Sequence, residues 1–277
     1  MSITNRQGVI DGLMPPIPMF RGNGGNNGAG QISSSWASAG QMPAGVGAFS
    51  ASLNGATLTG PGVSGQIPLN DAASGERTYL ARWAHRPRRS DLLVPMAGIL
   101  IDRIWHNGGI DATSTSAQLI TSPTWLARDE DGSTNGKGVL LAVEIESTMG
   151  AATPTVTVSY TNSAGTSGRT GTNIFATTSG QVAGAFLPIS LQAGDVGVRS
   201  VESVTLSASW LSGTMHLVAW RLIAMIQEVS AMQLVALDAV TSNFPRIYDG
   251  SVLFTLGVNY STSGPSGCSG EIQFSQG

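Results

Sequence analysis

The sequence predicts an all-β protein: an antiparallel β-sandwich of jelly-roll or immunoglobulin-like type, preceded by an extended, irregular N-terminal arm. Three observations carry that expectation. Short segments rich in Val, Ile, Thr and aromatic residues succeed one another from residue 76 onward. Gly- and Asn-containing turn pairs separate them, at Asn107-Gly108-Gly109, Asp131-Gly132, Asn135-Gly136, Ala164-Gly165, Ala193-Gly194-Asp195 and Asp249-Gly250. Residues 1–75 show neither the 3.6-residue nor the 2.0-residue period of a regular element. The expected division is therefore an arm, residues 1–75, and a sandwich domain, residues 76–277. No self-similarity of 20 to 50 residues points to a propeller or a solenoid.

The arm is defined by composition. RGNGGNNGAGQISSS (residues 21–35) and NGATLTGPGVSG (residues 54–65) are Gly- and Asn-rich, and MPPIPMF (residues 14–20) is apolar and stiffened by proline in extended conformation. Such a segment buries too little surface by itself to offset its ordering entropy. It nevertheless carries spaced apolar side chains: Ile17, Met19, Phe20, Trp36 and Phe49. These are expected to anchor the arm along a partner or along its own domain.

The strands follow in order. TYLARWAH (residues 78–85) alternates, and DLLVPMAGILIDRIWH (residues 91–106) reads as two strands divided at Pro95. GVLLAVEIES (residues 138–147) and TPTVTVSYTN (residues 153–162) are β-branched and bounded by Gly, Pro or Asn. In the second, Val156, Val158 and Tyr160 point one way and Thr155, Thr157, Ser159 and Thr161 the other, the pattern of a half-buried antiparallel strand. VESVTLSASW (residues 201–210) repeats it with Val204, Leu206, Ala208 and Trp210. HLVAWRLIAMI (residues 216–226) is apolar enough for a buried helix. Its position just after a Ser212-Gly213 turn favours a strand. SVLFTLGVNY and EIQFSQ close the chain as strands, and EVSAMQLVALDAV (residues 228–240) is the helix candidate, with Val229, Met232, Leu237 and Val240 on one face.

Charge excludes some functions. Net charge is −3 with 11% charged residues, and Lys137 is the sole lysine among 14 basic residues. A protein that coats nucleic acid needs a basic surplus to displace counterions, so no direct nucleic-acid partner is expected. Arginine is enriched and lysine depleted at protein interfaces, which fits a subunit of an assembly. The N-terminus lacks the charged region and apolar run of a secretory signal, and residues 215–226 are too short to span a bilayer. No membrane partner is expected, and the chain is expected to act where it is made or after its cell breaks open.

Candidate sites are sparse. His85, His106 and His216 lack metal-ligand spacing and read as exposed or strand-end histidines. The loop DEDGSTNG (residues 129–136) puts oxygen ligands at alternate positions, as hard cations require. It departs from the EF-hand pattern at Gly132, the fourth position, and at Leu140, the twelfth. An acidic hairpin loop, solvated or meeting an arginine from a neighbouring subunit, is the simpler expectation. HRPRR (residues 85–89) is the only basic cluster, and Arg86, Arg88 and Arg89 are expected to meet a carboxylate surface on a partner, or Glu76 and Asp91 nearby. Glu144 and Glu146 stand one pleat repeat apart on one strand face, the only carboxylate pair worth testing for glycoside hydrolysis. The alternative is a polar, solvent-facing edge. Cys268, the single cysteine, lies in SGPSGCSGE (residues 263–271), which reads as a loop with no activating cation near it in sequence. No nucleophile elbow, Walker loop or kinase signature occurs. No cofactor, no metal and no catalytic activity are expected.

VSYTNSAGTSGRT (residues 158–170), LQAGDVGVRSVESVTLSAS (residues 191–209) and the opening MSITNRQGVIDGL resemble tailed-bacteriophage virion structural proteins of the minor head or decoration type. The resemblance implies a β-rich subunit present in many copies per virion and held by a strap-like arm. It offers no catalytic residues to carry over. The expected partners are other copies of the chain, as a trimer or another homo-oligomer, and the major capsid protein or other virion proteins. The expected role is a head decoration or cementing subunit, with a tail, neck or fibre component that contacts a host glycan as the alternative.

Overall fold

A computed structural model describes residues 3, 5–22, 31–37, 40, 45, 52–88, 96–174, 181–227, 234–238, 246–259 and 267–277. Apart from helix α1 (Arg6–Asp11) and one 3-10 turn (Ser35–Ala37), the regular elements among these residues are strands. They are β1 (Ile17–Gly22), β2 (Ile32–Ser34), β3 (Ala56–Thr57), β4 (Thr78–Arg88), β5 (Met96–His106), β6 (Gln118–Leu119), β7 (Val139–Ser147) and β8 (Val156–Asn162). They continue as β9 (Arg169–Asn173), β10 (Ala185–Ser190), β11 (Val198–Leu206), β12 (Thr214–Gln227), β13 (Val235–Asp238), β14 (Arg246–Ile247), β15 (Leu253–Asn259) and β16 (Gly267–Gln276). The protein is all-β, and the strand pairings assigned here are antiparallel.

The chain forms two compact units, one from Met1–Gly45, Thr59–Asp102 and Leu222–Gly277, the other from Val46–Leu58 and Arg103–Arg221. These boundaries differ from the expected division at residue 75, because residues on both sides of it pair into the same sheets. Strands β5 and β12 contribute residues to each unit.

In the first unit, β4 pairs with β16 along Thr78 to Arg88, β1 lies on the other edge of β16, and β13 and β14 pair with β4. Leu80 and Trp83 are three residues apart, yet both are fully buried in one core with Met19, Ile272 and Phe274. A register shift of the β4–β16 pair between Gln273 and Phe274 makes this possible, because a bulge resets the alternation of faces. In the same unit β15 pairs with β2 and with residues 96–102 of β5.

Within the second unit the strand order is β12-β7-β10-β9-β8-β11-β6, and β3 pairs with Trp105 and His106 of β5. Strand β8 realises the expected alternation, with Val156, Val158 and Tyr160 buried and Thr157, Ser159 and Thr161 half-buried. Trp105 and Trp125 pack with ring centroids 5.6 Å apart, and each indole finds a carbonyl, Asn54 O at 3.0 Å and Val198 O at 2.7 Å. A buried tryptophan adds much apolar area only if its N–H keeps a partner. The 216–226 segment is strand, as its position predicts, within the 14-residue β12. Gly136 shows why that turn needs glycine: φ is +82°, and a Cβ there would lie 1.9 Å from the carbonyl of Val198.

Two local expectations are corrected. Of the helix predicted over 228–240, residues 228–233 and 239–240 lie outside the described residues. Val235–Asp238 is the strand β13, paired with Arg82 to His85. The edge of β4 supplies ladder partners that outweigh a marginal helical period. Cys268, read as a loop residue, sits buried in β16 between Arg21 and Pro87. Cys268, Gly270, Ile272 and Phe274 repeat with period two, and the small residues let β16 run between two neighbours.

Candidate functional site

Three of the predicted anchors, Ile17, Met19 and Phe20, lie on one feature, an N-terminal strap along β16. Asn5 caps α1 through its side chain, which accepts from Gly8 N at 2.9 Å, as an N-terminal Asn does when it satisfies an orphan amide. The strap then follows the last strand from end to end. Ile3 N donates to Gly277 O, Leu13 bridges Ser275, Met14 N donates to Phe274 O, and Ile17 to Gly22 pair with Ile272 to Gly267. Prolines 15, 16 and 18 suit this position, since an edge strand leaves donors unused on one side.

The anchors then divide. Met19 is 1% exposed and Trp36 2%, the latter stacked on Phe254 at 5.0 Å; both are spent on the first unit's own interior. Ile17 is half-buried, and Phe20, 44% exposed, turns outward together with Ile10 and Leu13. Phe49 lies outside the described residues. Of the basic cluster, Arg86 is half-buried on β4 opposite Ser269, Arg88 is a backbone member of the same strand, and Arg89 lies outside the described residues. Nearby Arg82 is ion-paired with Glu271.

The second unit holds a buried charged cluster that the sequence did not assemble. Glu144 and Glu146 share a face of β7 but not an environment: Glu146 is exposed and Glu144 is 1% exposed. Glu144 is therefore no solvent-facing edge and no member of a hydrolytic pair. Its Oε2 accepts from Arg103 of β5 and lies 2.7 Å from His216 Nε2 of β12. The same Nε2 lies 2.9 Å from Arg103 Nη2; a ring proton there serves the carboxylate contact, and a bare nitrogen the guanidinium contact. His106 stands beside them, its Nδ1 3.5 Å from Arg103 Nη2 and its ring 5.6 Å from that of His216. The register places the group, since His216 is the direct partner of Glu144 in the β12–β7 ladder.

Burial dominates the titration of this cluster. It would raise the Glu144 carboxyl, but Arg103 and His216 overcome it and hold the group well below the ordinary carboxylate range. His106 is pushed down to about 2 by burial first and then by the Arg103 and His216 charges. His216 is also lowered by burial, against the pull of Glu144. Both rings are neutral, and the Arg103–Glu144 pair leaves the interior without net charge. The expectation of exposed histidines is thus corrected: His85, His106 and His216 are all buried. A signal existed. Arg103, Glu144 and His216 each stand among the apolar residues of a mostly buried strand, and buried charges must find opposite partners.

The acidic loop is organised from within. Asp129 is fully buried, and its two oxygens accept from the amides of Asp131, Ser133, Gly136 and Lys137 and from the Ser133 hydroxyl. Two cations face the loop: Lys137, whose Nζ lies 3.1 Å from Asp131, and Arg199, whose Nη2 donates to Asn135 Oδ1 at 2.8 Å. No cluster of three or more His, Cys, Asp or Glu with metal-holding geometry occurs among the described residues.

Segments 158–170 and 191–209 meet at Asp195. Its carboxylate accepts from Arg169 Nε at 2.9 Å, Tyr160 Oη at 2.6 Å and Asn162 Nδ2 at 2.7 Å. Those bonds, Arg169 first, hold Asp195 down to about 2, while burial and Asp195 push Tyr160 up to about 12. On the opposite face, strand register lines up hydroxyl residues. Ser190, Thr172, Thr157 and Thr205 form one row, and Thr170, Ser159 and Ser203 the next.

No family model, no curated protein and no solved structure matches this chain.

Proposed function

We propose that this chain is a structural subunit of a tailed-phage virion, a head decoration or cementing protein that grips neighbouring subunits through its N-terminal segment, and not an enzyme. The observation that carries the reading is the strap. Residues 3–22 form an added layer on β16, seated inward by Met19 and offering Ile10, Leu13 and Phe20 outward. A layer with one apolar side seated and another open suits a building block that contacts copies of itself, as a trimer or another homo-oligomer, and a major capsid protein or another virion protein. In this reading the sheets are those of a jelly-roll or immunoglobulin-like sandwich, with the strap as its arm, and the site of action is the virion.

A second reading is favoured by the hydroxyl rows on β10, β9, β8 and β11. That hydroxyl-lined face, with the Glu202 carboxylate accepting from Ser159 and Thr161, suits a tail, neck or fibre component that touches a host glycan. Gold-labelled antibody on purified particles separates the two. Label over the whole shell, at a fixed ratio to the major shell subunit, is the expected result. Label confined to one vertex or the tail transfers the assignment to the second reading, and particles without label overturn both.

A further inference from the structure

The strap is attached to the first unit in an unusual way. Among the described residues, the backbone hydrogen bonds and bridges that leave residues 3–20 end on residues 269–277. Side-chain bonds follow the same path: Ser275 Oγ donates to Val9 O at 2.7 Å and Gln273 Nε2 to Met14 O at 2.8 Å. Side-chain packing also seats Met19 in the core beside Leu80 and Trp83, with Met14 and Ile17 against it, and Arg21 reaches the Gly65 carbonyl and bridges Gly40. The next eight residues in sequence are NGGNNGAG, with no side chain larger than asparagine. Eight residues reach at most about 26–29 Å when extended.

We infer that the edge of β16 accepts residues 3–22 of a second copy of this chain, so that two chains exchange their N-terminal straps. The occupant is fixed by the groove itself. Ladder partners, the Met19 seat and the proline positions are already matched to this one sequence. An exchanged strap makes the same contacts as a resident one, so the balance between the two is set by the connecting segment and by concentration. The inference concerns the purified chain and does not rest on the virion reading.

Cys268 makes the test direct, because it is the sole cysteine and the register partner of Arg21. Facing residues of an antiparallel pair lie about 4.5–5.5 Å apart between Cα atoms, within disulfide reach. One chain carries Arg21→Cys with Cys268→Ser, so its strap thiol has no partner at home. The other is the native chain, with a size tag. They are refolded together over a range of concentrations and oxidised. Exchange gives a mixed disulfide between Cys268 of the tagged chain and the strap of the other, with a yield that rises with concentration. The single variant Arg21→Cys, with both thiols in one chain, reports the resident arrangement.

Only intrachain disulfide in the single variant at every concentration, with no mixed product, overturns the inference. Absence of any disulfide overturns the register on which it stands. Because Arg21 is buried, the neighbouring pair is run in parallel. Phe20→Cys and Ser269→Cys are placed on separate chains, each with Cys268→Ser, and folding is checked by circular dichroism. A failed immunogold experiment leaves this result untouched, and a failed exchange leaves the virion placement untouched.

Discussion

The first unit is assembled from three stretches of chain and finished by its two termini lying side by side, whereas the second comes mostly from one stretch and keeps a charged cluster in its interior. The difference concerns what can be removed. An edge strand such as β1 is held by the β16 ladder, by the buried Met19 and Arg21 and by the Gly40 bridge, and lies at the margin of its sheet. A buried Arg103–Glu144–His216 group is held from three strands, and no member leaves without stranding another.

The comparison is broken most severely at Arg103. Arg103→Met leaves Glu144 buried without its cation, and a loss of about 3–5 kcal/mol in denaturant unfolding is expected. The double change Arg103→Met with Glu144→Leu should recover most of it. If the double variant is as unstable as the single one, the cluster is not a charge pair in energetic terms. Next is Met19→Ala, expected to cost about 2–5 kcal/mol because Met19 sits in the core. Phe20→Ser, one residue along and outward, should stay within about 0.5 kcal/mol. Equal losses for the two would mean that the strap has no inner and outer side.

Acid sharpens the contrast further. His106 and His216 are neutral when folded and titrate near their ordinary value, about 6.5, when unfolded. A depressed folded pKa contributes stability above the unfolded pKa that is lost as pH falls. The His106 ring should therefore cost about 1.4 kcal/mol per pH unit below about 6.5, down toward its folded pKa, and His216 acts in the same direction. Unfolding midpoints measured from pH 7.5 to pH 4.5 should fall accordingly, and His106→Gln should flatten the slope. A flat profile in the native chain would show that the rings are not buried neutral.

Much of this was legible in the sequence, and the exceptions share a cause. Strand β8 announces itself because Val156, Val158 and Tyr160 alternate with hydroxyl residues, and hydrophobicity with a nearby turn sufficed for β12. Strand β16 was half missed, because Gly267, Ser269 and Gly270 look like loop even though the inward positions keep a period of two. Its strand character depends on neighbours 180 or more residues away in sequence, β4 and β1, which no local window sees. The cluster of Arg103, Glu144 and His216 was hidden for the same reason. Each residue is ordinary in its own strand, and only register brings them together.

Leu211 gives the smallest effect. Its φ of 68° is the positive value among non-glycine residues here, at an exposed turn. Leu211→Gly should stabilise the chain by about 0.5–1 kcal/mol through relief of that strain. A loss of stability would mean that the turn does not adopt this conformation.

The central claim is that residues 17–22 are a paired strand on β16, whether of their own chain or of a second copy. Amide hydrogen exchange on the purified protein tests it most directly. The account expects the bonded amides of Met19 to Gly22 to exchange as slowly as their partners in residues 267–270. Exchange of those amides at the rate of an unstructured peptide, with β16 still protected, would contradict it.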